Sequence, residues 1–284
     1  MSLKCRGSLT AAGAALILLA SAPRPALAQI NIGGSNPLVH TENFDTLASG
    51  PLVTDFSFVD NVTLPGVYTT RTTYRASSGA EGTAVLYSYG ASSGPNMGDR
   101  ALGGISPSQN TDIVYGFRFV NTGSTPLTSF QVSYNGEFWR RGTTLTIPDV
   151  LEFGYQVFDA GTGSITDPDY TRVSELDFVV ISSGPPGNNG NTPFSTTSIN
   201  NGAGTSISVA PGQEIWIRWY DFNSTALTDH GLAVDDFSIT FTTTAIPEPG
   251  TFILMAAGAV GSGALALGRR RGKKHTHRRK RTGA

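Results

Sequence analysis

The sequence has almost no cysteine and little histidine. The single cysteine, Cys5, precedes an apolar run near the N-terminus, so the rest of the chain can form no disulfide and offers no thiol for zinc or for catalysis. Only His40 and His230 lie outside the basic C-terminal segment, and no His-Glu-x-x-His motif or Cys/His metal spacing occurs. These absences disfavour zinc enzymes and thiol hydrolases, and we expect a protein that is not an enzyme and requires no cofactor.

The central part of the chain contains no lysine. Of the 20 Lys and Arg residues, only eight fall within residues 29–245, all of them arginine, whereas this range holds 20 of the 21 Asp and Glu residues. The central part therefore carries a net charge of about −12, hidden by a formal charge of −1 for the whole chain. Nucleic acid requires basic patches, so we expect no nucleic-acid partner. An acidic surface suits an extracellular protein and attracts cations.

Residues 1–28 have the three parts of a secretory signal peptide. Lys4 and Arg6 supply the positive start, and a short apolar run extends over residues 9–22. Ala26 and Ala28 form an A-x-A cleavage site before Gln29. We therefore predict export with cleavage; the alternative is a short membrane anchor.

Residues 246–284 form a second export-related segment in three parts. A Pro-Glu-Pro sequence lies within residues 246–251, an uncharged stretch follows over residues 251–268, and the basic residues 269–284 come last. As a helix, the uncharged stretch would span roughly 27 Å at about 1.5 Å per residue, marginally enough for a bilayer. The basic segment is predicted to stay cytoplasmic by the positive-inside rule, which places the acidic domain outside the inner membrane.

This order of elements resembles the PEP-CTERM sorting signal. The residues that carry the resemblance are those of the motif and of the first basic cluster: Pro247, Glu248, Pro249, Arg269, Arg270 and Arg271. The resemblance implies an exosortase-type membrane protease as partner, cleavage near the motif, and delivery to the cell surface or an extracellular polysaccharide matrix. The basic tail departs from the family pattern because it continues to Arg281. A plain tail anchor is the alternative.

The range 29–245 shows the alternation typical of half-buried strands rather than a helical period. Turn sequences separate the runs, including Asn121-Thr122-Gly123, Asn135-Gly136 and Pro211-Gly212. The fold class is therefore predicted to be all-β, with one β-sandwich of jelly-roll type. The stretches 42–48 and 229–236 also resemble the opening and closing strands of lectin-like jelly rolls. The predicted strands are 112–121, 129–134, 150–158, 175–181, 205–209, 214–220 and 232–242.

Four carboxylates are candidates for a structural calcium site. Glu42 and Asp45 are predicted on the first strand, and Asp235 and Asp236 on the last. First and last strands of a jelly roll commonly pair, which would bring the four together, and calcium prefers such oxygen ligands. The alternative is that Asp235 and Asp236 cap turns and pair with arginine.

Aromatic residues suggest a carbohydrate-binding surface. Alternation along residues 215–220 places Trp216, Arg218 and Tyr220 on one face and Ile215, Ile217 and Trp219 on the other. If the strands are neighbours, Trp139 and Arg140 would extend the first face into a platform for sugar rings. The alternatives are aromatic packing and a buried Arg218 paired with Glu137 or Asp221.

Three functions remain open on the sequence. The leading one is a non-catalytic envelope or matrix protein. The second is a carbohydrate-binding module that holds extracellular polysaccharide. The third is a hydrolase, which would need a pocket around His230 or a carboxylate pair such as Glu137 and Asp221.

Overall fold

The computed structural model describes residues 29–50, 54–106, 112–142, 148–182, 184–222 and 229–243. The predicted signal peptide with Ala26 and Ala28, and the predicted sorting tail with its Pro-Glu-Pro motif and arginine cluster, lie outside these ranges. No helix within them has the length and hydropathy required to cross a bilayer.

The described chain forms two β-sheets and two short 3-10 turns, Pro95–Gly98 and Ser174–Leu176. The seven-stranded sheet consists of β1 (Ile30–Ile32), β4 (Val67–Thr69), β8 (Ile113–Asn121), β10 (Asp149–Phe158), β11 (Thr171–Arg172), β12 (Phe178–Val180) and β16 (Glu214–Asp221). The ten-stranded sheet consists of β2 (Val39–Glu42), β3 (Phe56–Ser57), β5 (Thr73–Ser77), β6 (Leu86–Tyr89), β7 (Ala101–Gly104), β9 (Leu127–Arg141), β13 (Gly187–Asn188), β14 (Ser195–Asn200), β15 (Thr205–Val209) and β17 (Gly231–Thr243).

Long antiparallel strands form the centre of each sheet. In the smaller sheet β16 lies between β8 and β10, and β1 joins β8 in parallel. In the larger sheet β17 pairs with β9 along one edge and with β7 and then β2 along the other. The strand that carries Glu42, β2, therefore pairs with the last strand, β17, as the sequence predicted, although the first strand is β1 and belongs to the other sheet.

Aromatic rings join the two sheets into a sandwich. Phe117 of the smaller sheet stacks on Phe237 of the larger one with centroids 4.7 Å apart. Trp219 packs edge-on against Phe237 at 5.3 Å and against Tyr134 at 5.4 Å, and its side chain is fully buried. Each such ring buries on the order of 150–250 Å². The predicted all-β sandwich is confirmed, with its core between the inward faces of β8, β16, β9 and β17.

Several expectations about individual segments were wrong. Asn135-Gly136 is not a turn but lies in the middle of β9. A glycine is required at position 136 because the Phe178 ring packs directly on its backbone. A Cβ atom there would come within 2.6 Å of that ring. The run 175–181 begins as a 3-10 turn, and only Phe178–Val180 is strand. The seven strands before residue 105 are two to five residues long, too short for their alternation to be recognised.

Candidate functional site

A cluster of carboxylates lies where β17 changes partners. β7 pairs with β17 over Leu232–Val234, and β2 pairs with it over Phe237–Thr240. Asp235 and Asp236 therefore face the gap between the end of β2 and the start of β7. We call this cluster the acidic junction; it consists of Glu42, Asp45, Asp99, Glu137, Asp235 and Asp236.

A β-bulge shapes the acidic junction. Asp235 is opposite Asn135 and Ser238 is opposite Ser133, so β17 holds one more residue than β9 at this point. Asp236 takes a positive φ of 48°, an uncommon conformation for a residue other than glycine. Asn135 Nδ2 donates to Asp236 Oδ2 at 2.9 Å. Asp235 is buried beside it, at 5% exposure, whereas Asp236 is exposed.

Glu42 and Asp45 reach the acidic junction from the N-terminal side. Glu42 ends β2, but Asp45 lies in the following turn and not on the strand as expected. Glu42 Oε1 accepts from the Phe44 amide at 2.8 Å, and Asp45 Oδ1 accepts from the Arg100 amide at 2.9 Å. The Arg100 guanidinium points away, donating to the main-chain oxygens of Ser88 and Ala91. Main-chain amides therefore neutralise part of the charge of these two carboxylates.

The carboxylates of the acidic junction act on one another electrostatically. Burial first, and then Glu137, Asp236 and Asp99, raise the pKa of Asp235 to about 8. Burial and the charges of Asp45 and Asp236 raise the pKa of Asp99. The four residues predicted for calcium are thus brought to one region. The junction also contains Asp99, just before β7, and Glu137 on β9. The sequence analysis did not group them with the other four because the places of β7 and β9 beside β17 were unknown.

The acidic junction is not a completed metal site. No three His, Cys, Asp or Glu side chains of the described ranges are placed as a ready-made metal-binding group. The surface beside Glu42, Asp236 and Ser238 is an open cavity of about 380 Å³. Calcium requires six to eight oxygen ligands, part of which water and main-chain carbonyls can supply.

The predicted aromatic platform is not formed. Trp139 lies on β9 in the larger sheet and Trp216 on β16 in the smaller one, so their strands are not neighbours. Both indoles are buried, each with 4% of the residue exposed. Trp139 stacks on Tyr89 at 6.0 Å and donates to Glu137 Oε2 at 2.7 Å. Both tryptophans are therefore packed inside the protein and present no ring face to a sugar.

The alternation along β16 is confirmed. Ile215, Ile217 and Trp219 are fully buried in the core. Trp216, Arg218 and Tyr220 share the outer face with a small second cluster, in which the Trp216 ring packs on Tyr68 at 4.6 Å.

Arg218 and Tyr220 border a shallow groove on this outer face. The groove has a volume of about 110 Å³, and Arg218 lies over the Tyr170 ring at 3.8 Å and near the Tyr220 ring at 5.3 Å. Its guanidinium donates to the carbonyls of Ile165 and Asp167, so the alternative of a pairing with Glu137 or Asp221 was wrong. The groove therefore combines two partly exposed tyrosine rings with a cation held in place. The rest of its lining consists of Glu152, Phe153, Gly154 and Arg172.

The histidines do not resemble catalytic bases. His230 is 1% exposed and its Nδ1 accepts from the Gly142 amide at 2.9 Å. His40 packs edge-on against the rings of Phe117 and Phe119, with centroids 5.5 and 5.6 Å away. Burial lowers the pKa of each histidine to about 4, so both are neutral at physiological pH. None of the cavities described above is lined by either side chain.

The carboxylates suggested for glycoside chemistry, Glu137 and Asp221, lie on different sheets. A Gly-x-Ser-x-Gly pattern at Gly90–Gly94 escaped the sequence analysis. Its Ser92 hydroxyl is paired with Asn191 at 2.5 Å. Neither feature provides a nucleophile next to a base.

Comparison with known proteins gives only distant matches. No family model and no curated protein matches the chain. An arabinose-bound GH51 α-L-arabinofuranosidase matches at 14% identity and a TM-score of 0.32, over 68% of this chain and 25% of the enzyme. The CBM22 tandem domain of Paenibacillus barcinonensis Xyn10C matches at 12% identity and a TM-score of 0.33, over 65% of this chain and 49% of that protein. The Podospora anserina GH26-CBM35 β-(1,4)-mannanase matches at 14% identity and a TM-score of 0.26, over 64% of this chain and 29% of the enzyme.

This chain therefore spans between a quarter and a half of the length of these three proteins. At such identities and TM-scores the matches bear on neither the activity nor the ligand of the chain.

Proposed function

We propose that the chain is an exported, non-catalytic envelope or matrix protein: a β-sandwich of jelly-roll type that an exosortase-type membrane protease sorts through its C-terminal tail. The observation that carries the proposal is the order of the tail, Pro247-Glu248-Pro249, then an uncharged stretch, then Arg269–Arg271. The sandwich fits between the two signals, since β1 begins at Ile30 and β17 ends at Thr243. The buried, neutral histidines support a non-catalytic role.

The sorting proposal is tested by expressing the full chain in a bacterium with an exosortase-type protease and in a mutant that lacks the protease. We expect a product without the tail outside the inner membrane of the first strain, and an uncleaved, membrane-held form in the second. An antibody against the sandwich and mass spectrometry of the C-terminus distinguish the two. The variant Glu248→Gln should behave like the protease mutant, and Lys280→Gln, far from the motif, like the wild type.

A full-length polypeptide that is soluble in the cytosol with its leader attached would refute the sorting proposal. Cleavage that is unaffected by loss of the protease would leave export intact and refute the exosortase as partner.

The groove at Arg218 favours carbohydrate binding as a second function. Sugar rings stack on aromatic faces, and a guanidinium held in place by two carbonyls can donate to hydroxyl groups without losing much side-chain freedom. Tyr170, Tyr220 and Arg218 provide both contacts in one groove. Trp139 and Trp216, the other residues expected to bind sugar, are buried and do not contribute a surface.

Binding of the full chain to the producing organism's extracellular polysaccharide, measured by calorimetry, tests this second function. We expect Tyr220→Ala to weaken binding about tenfold or more, whereas Arg75→Met on the other sheet leaves it unchanged. A glycan array without hits, or equal binding by both variants, would rule out the groove.

We propose, third, that the acidic junction binds structural calcium. Asp235 is buried among other carboxylates, and a cation would offset the repulsion that adds to burial in raising the pKa of Asp235. A chelator is expected to lower the melting temperature of the wild-type protein more than that of Asp235→Asn. An equal effect on both proteins would contradict the proposal.

A further inference from the structure

A second group of aspartates lies at one end of the sandwich, inside the core. Asp221 is the last residue of β16 and is paired across the ladder with Ile113 of β8 and Leu151 of β10. It follows Ile217 and Trp219 on the inward face, so its carboxylate points between the sheets. Asp149, which begins β10, and Asp229, which precedes β17, lie at the same end.

Among the residues that the structure describes, none donates a hydrogen bond to the buried carboxylate of Asp221. The residue is 1% exposed, and neither Oδ1 nor Oδ2 accepts a hydrogen bond. Buried polar groups in folded proteins are nearly always hydrogen-bonded, and an unpaired buried charge is among the costliest features a core can contain. An ionised Asp221 would therefore need a hydrogen-bond donor or a bound cation, and the described residues supply no such donor.

Other buried acids of this protein have partners. Glu214 is paired with Arg118 and accepts from the Gly163 amide at 2.9 Å. Asp149 Oδ2 accepts from the amide of His230 at 2.9 Å. Glu214 and Asp149 therefore accept hydrogen bonds although they are buried, and Asp221 differs from them because it accepts none.

The surroundings of Asp221 are negative and rich in oxygen. Three further aspartates act on it, namely Asp149, Asp229 and Asp112, against one arginine, Arg71. The hydroxyl groups of Tyr89 and Tyr115 are both buried, both are influenced by the charge of Asp221, and neither has a hydrogen-bond partner. This end of the core therefore has an excess of negative charge, since four carboxylates face one guanidinium. It also has an excess of oxygen lone pairs, because the two tyrosine hydroxyls make no hydrogen bond.

His230 does not supply the missing positive charge. Its Nδ1 accepts from the Gly142 amide, so the proton of the neutral ring is on Nε2. The guanidinium of Arg141 also acts on this ring, and a positive neighbour disfavours its protonation. The ring packs against Phe138 with centroids 5.0 Å apart. Among the described residues, His230 therefore does not offset the charge of Asp221.

We propose that Asp221 is the central ligand of an internal calcium site at this end of the sandwich, assisted by Asp149 and Asp229. The described residues hold no three acidic side chains already placed around one point, so the ion would draw the three carboxylates together as it binds. Calcium is a hard cation that takes six to eight oxygens in flexible geometry, which suits carboxylates supplemented by tyrosine hydroxyls and water. A divalent ion would offset most of the excess negative charge. By tying the end of β16 to the starts of β10 and β17, it would also hold the two sheets together.

This site is separate from the acidic junction and independent of the proposed function. Asp229 and Asp235 are six residues apart along the chain, roughly 20 Å in an extended strand. Asp221 lies on the inward face of the smaller sheet, whereas Asp235 is on β17 in the larger one. The two sites can therefore be removed one at a time.

The test compares calcium binding by the full chain carrying Asp235→Asn with that of the double variant Asp235→Asn/Asp221→Asn. Calorimetry and elemental analysis after dialysis measure affinity and stoichiometry. We expect the single variant to retain one calcium ion and a rise in melting temperature on calcium addition of about 5 °C or more. The double variant should bind at least tenfold more weakly and lose that rise.

The replacement of Asp221 by asparagine also separates a cation from a bound proton. If Asp221 is merely protonated, Asp221→Asn mimics the neutral acid, so its melting temperature equals or exceeds that of the parent and calcium changes neither protein. That result overturns the proposal, as does equal calcium binding by the single and double variants. If the double variant fails to fold, Asp235→Asn/Asp229→Asn replaces it and must show the same loss of calcium.

Discussion

The two faces of β16 differ in what their side chains are used for. The inward face contributes Ile215, Ile217 and Trp219 to one continuous core and ends in the unpartnered Asp221. The outward face contributes Trp216 to a small cluster and Arg218 and Tyr220 to a groove. One strand therefore divides its residues between stability and a surface. The difference teaches that a tryptophan in an alternating strand says little about ligand binding until the covering layer is known.

Replacing Trp219 by alanine tests the inward face most severely. The ring touches Tyr115, Phe117, Tyr134, Phe153 and Phe237 across both sheets. Removing such a ring from a closed core is expected to lower the free energy of unfolding by about 3–5 kcal/mol. Chemical denaturation followed by circular dichroism measures the loss. A loss below about 1.5 kcal/mol would mean that the core is not closed around this ring.

Trp216→Ala makes the same chemical change on the outward face and serves as the matched comparison. Trp216 packs on Tyr68 and Phe158, and its Nε1 has no hydrogen-bond partner that the change would leave unsatisfied. The residues packed against Trp216 include Ile165, which lies in a turn region and not in a strand. We expect a smaller loss of about 2 kcal/mol. An effect equal to that of Trp219→Ala would abolish the distinction between the two faces.

The pH dependence of stability probes the acid that ends the inward face. Burial raises the pKa of Asp221 well above its usual range, and burial with neighbouring carboxylates raises that of Asp235 to about 8. A raised pKa means that the folded state holds its proton more tightly, so the free energy of unfolding falls as pH rises through that range. His40 and His230, with pKa values lowered to about 4, act in the opposite direction, but only below about pH 6.5.

For the chelator-treated protein we therefore expect stability to fall between pH 6.5 and 8, by roughly 1 kcal/mol per pH unit for each of the two acids. Denaturation midpoints at three pH values in this range measure the slope. Asp221→Asn should reduce it, and so should Asp235→Asn. A stability that is constant or rising in this range would show that neither acid titrates as described.

Tyr220→Phe is the smallest change on the outward face. It removes one hydroxyl group, which donates to Asp112, and keeps the ring beside Arg218. Because Tyr220 is partly exposed, we expect a loss of about 0.5–1 kcal/mol. If sugar rings stack in the groove, their affinity should change less with this variant than with Tyr220→Ala. Equal weakening by both would assign binding to the hydroxyl rather than to the ring.

Strong alternation was sufficient to predict the long strands β8, β10, β16 and β17 and the division of β16 into two faces. Short strands such as β3 or β13 have only two residues each, so no period can be recognised in them. Asn135-Gly136 was assigned to a turn because its residue types favour one. The Phe178 ring explains the glycine, and that contact crosses from one sheet to the other.

The candidate sites were only partly predictable for the same reason. Glu42, Asp45, Asp235 and Asp236 could be grouped because the closing strand was expected to pair with the opening one, which β2 and β17 do. Asp99 and Glu137 joined the acidic junction only through β7 and β9, whose positions beside β17 the sequence did not reveal. Trp139 was assigned to a platform that required β9 and β16 to be neighbours, and they belong to opposite sheets.

The sequence by itself determined the all-β class, the acidic character of residues 29–245 and the division of the residues of β16 between two opposite faces. These properties depend on composition and on the two-residue period of a strand, which are local. Only the tertiary structure decided which strands lie side by side, which tryptophans are covered, and that Asp221 is buried without a partner. Those properties depend on contacts between residues far apart in the chain, and no local pattern encodes them.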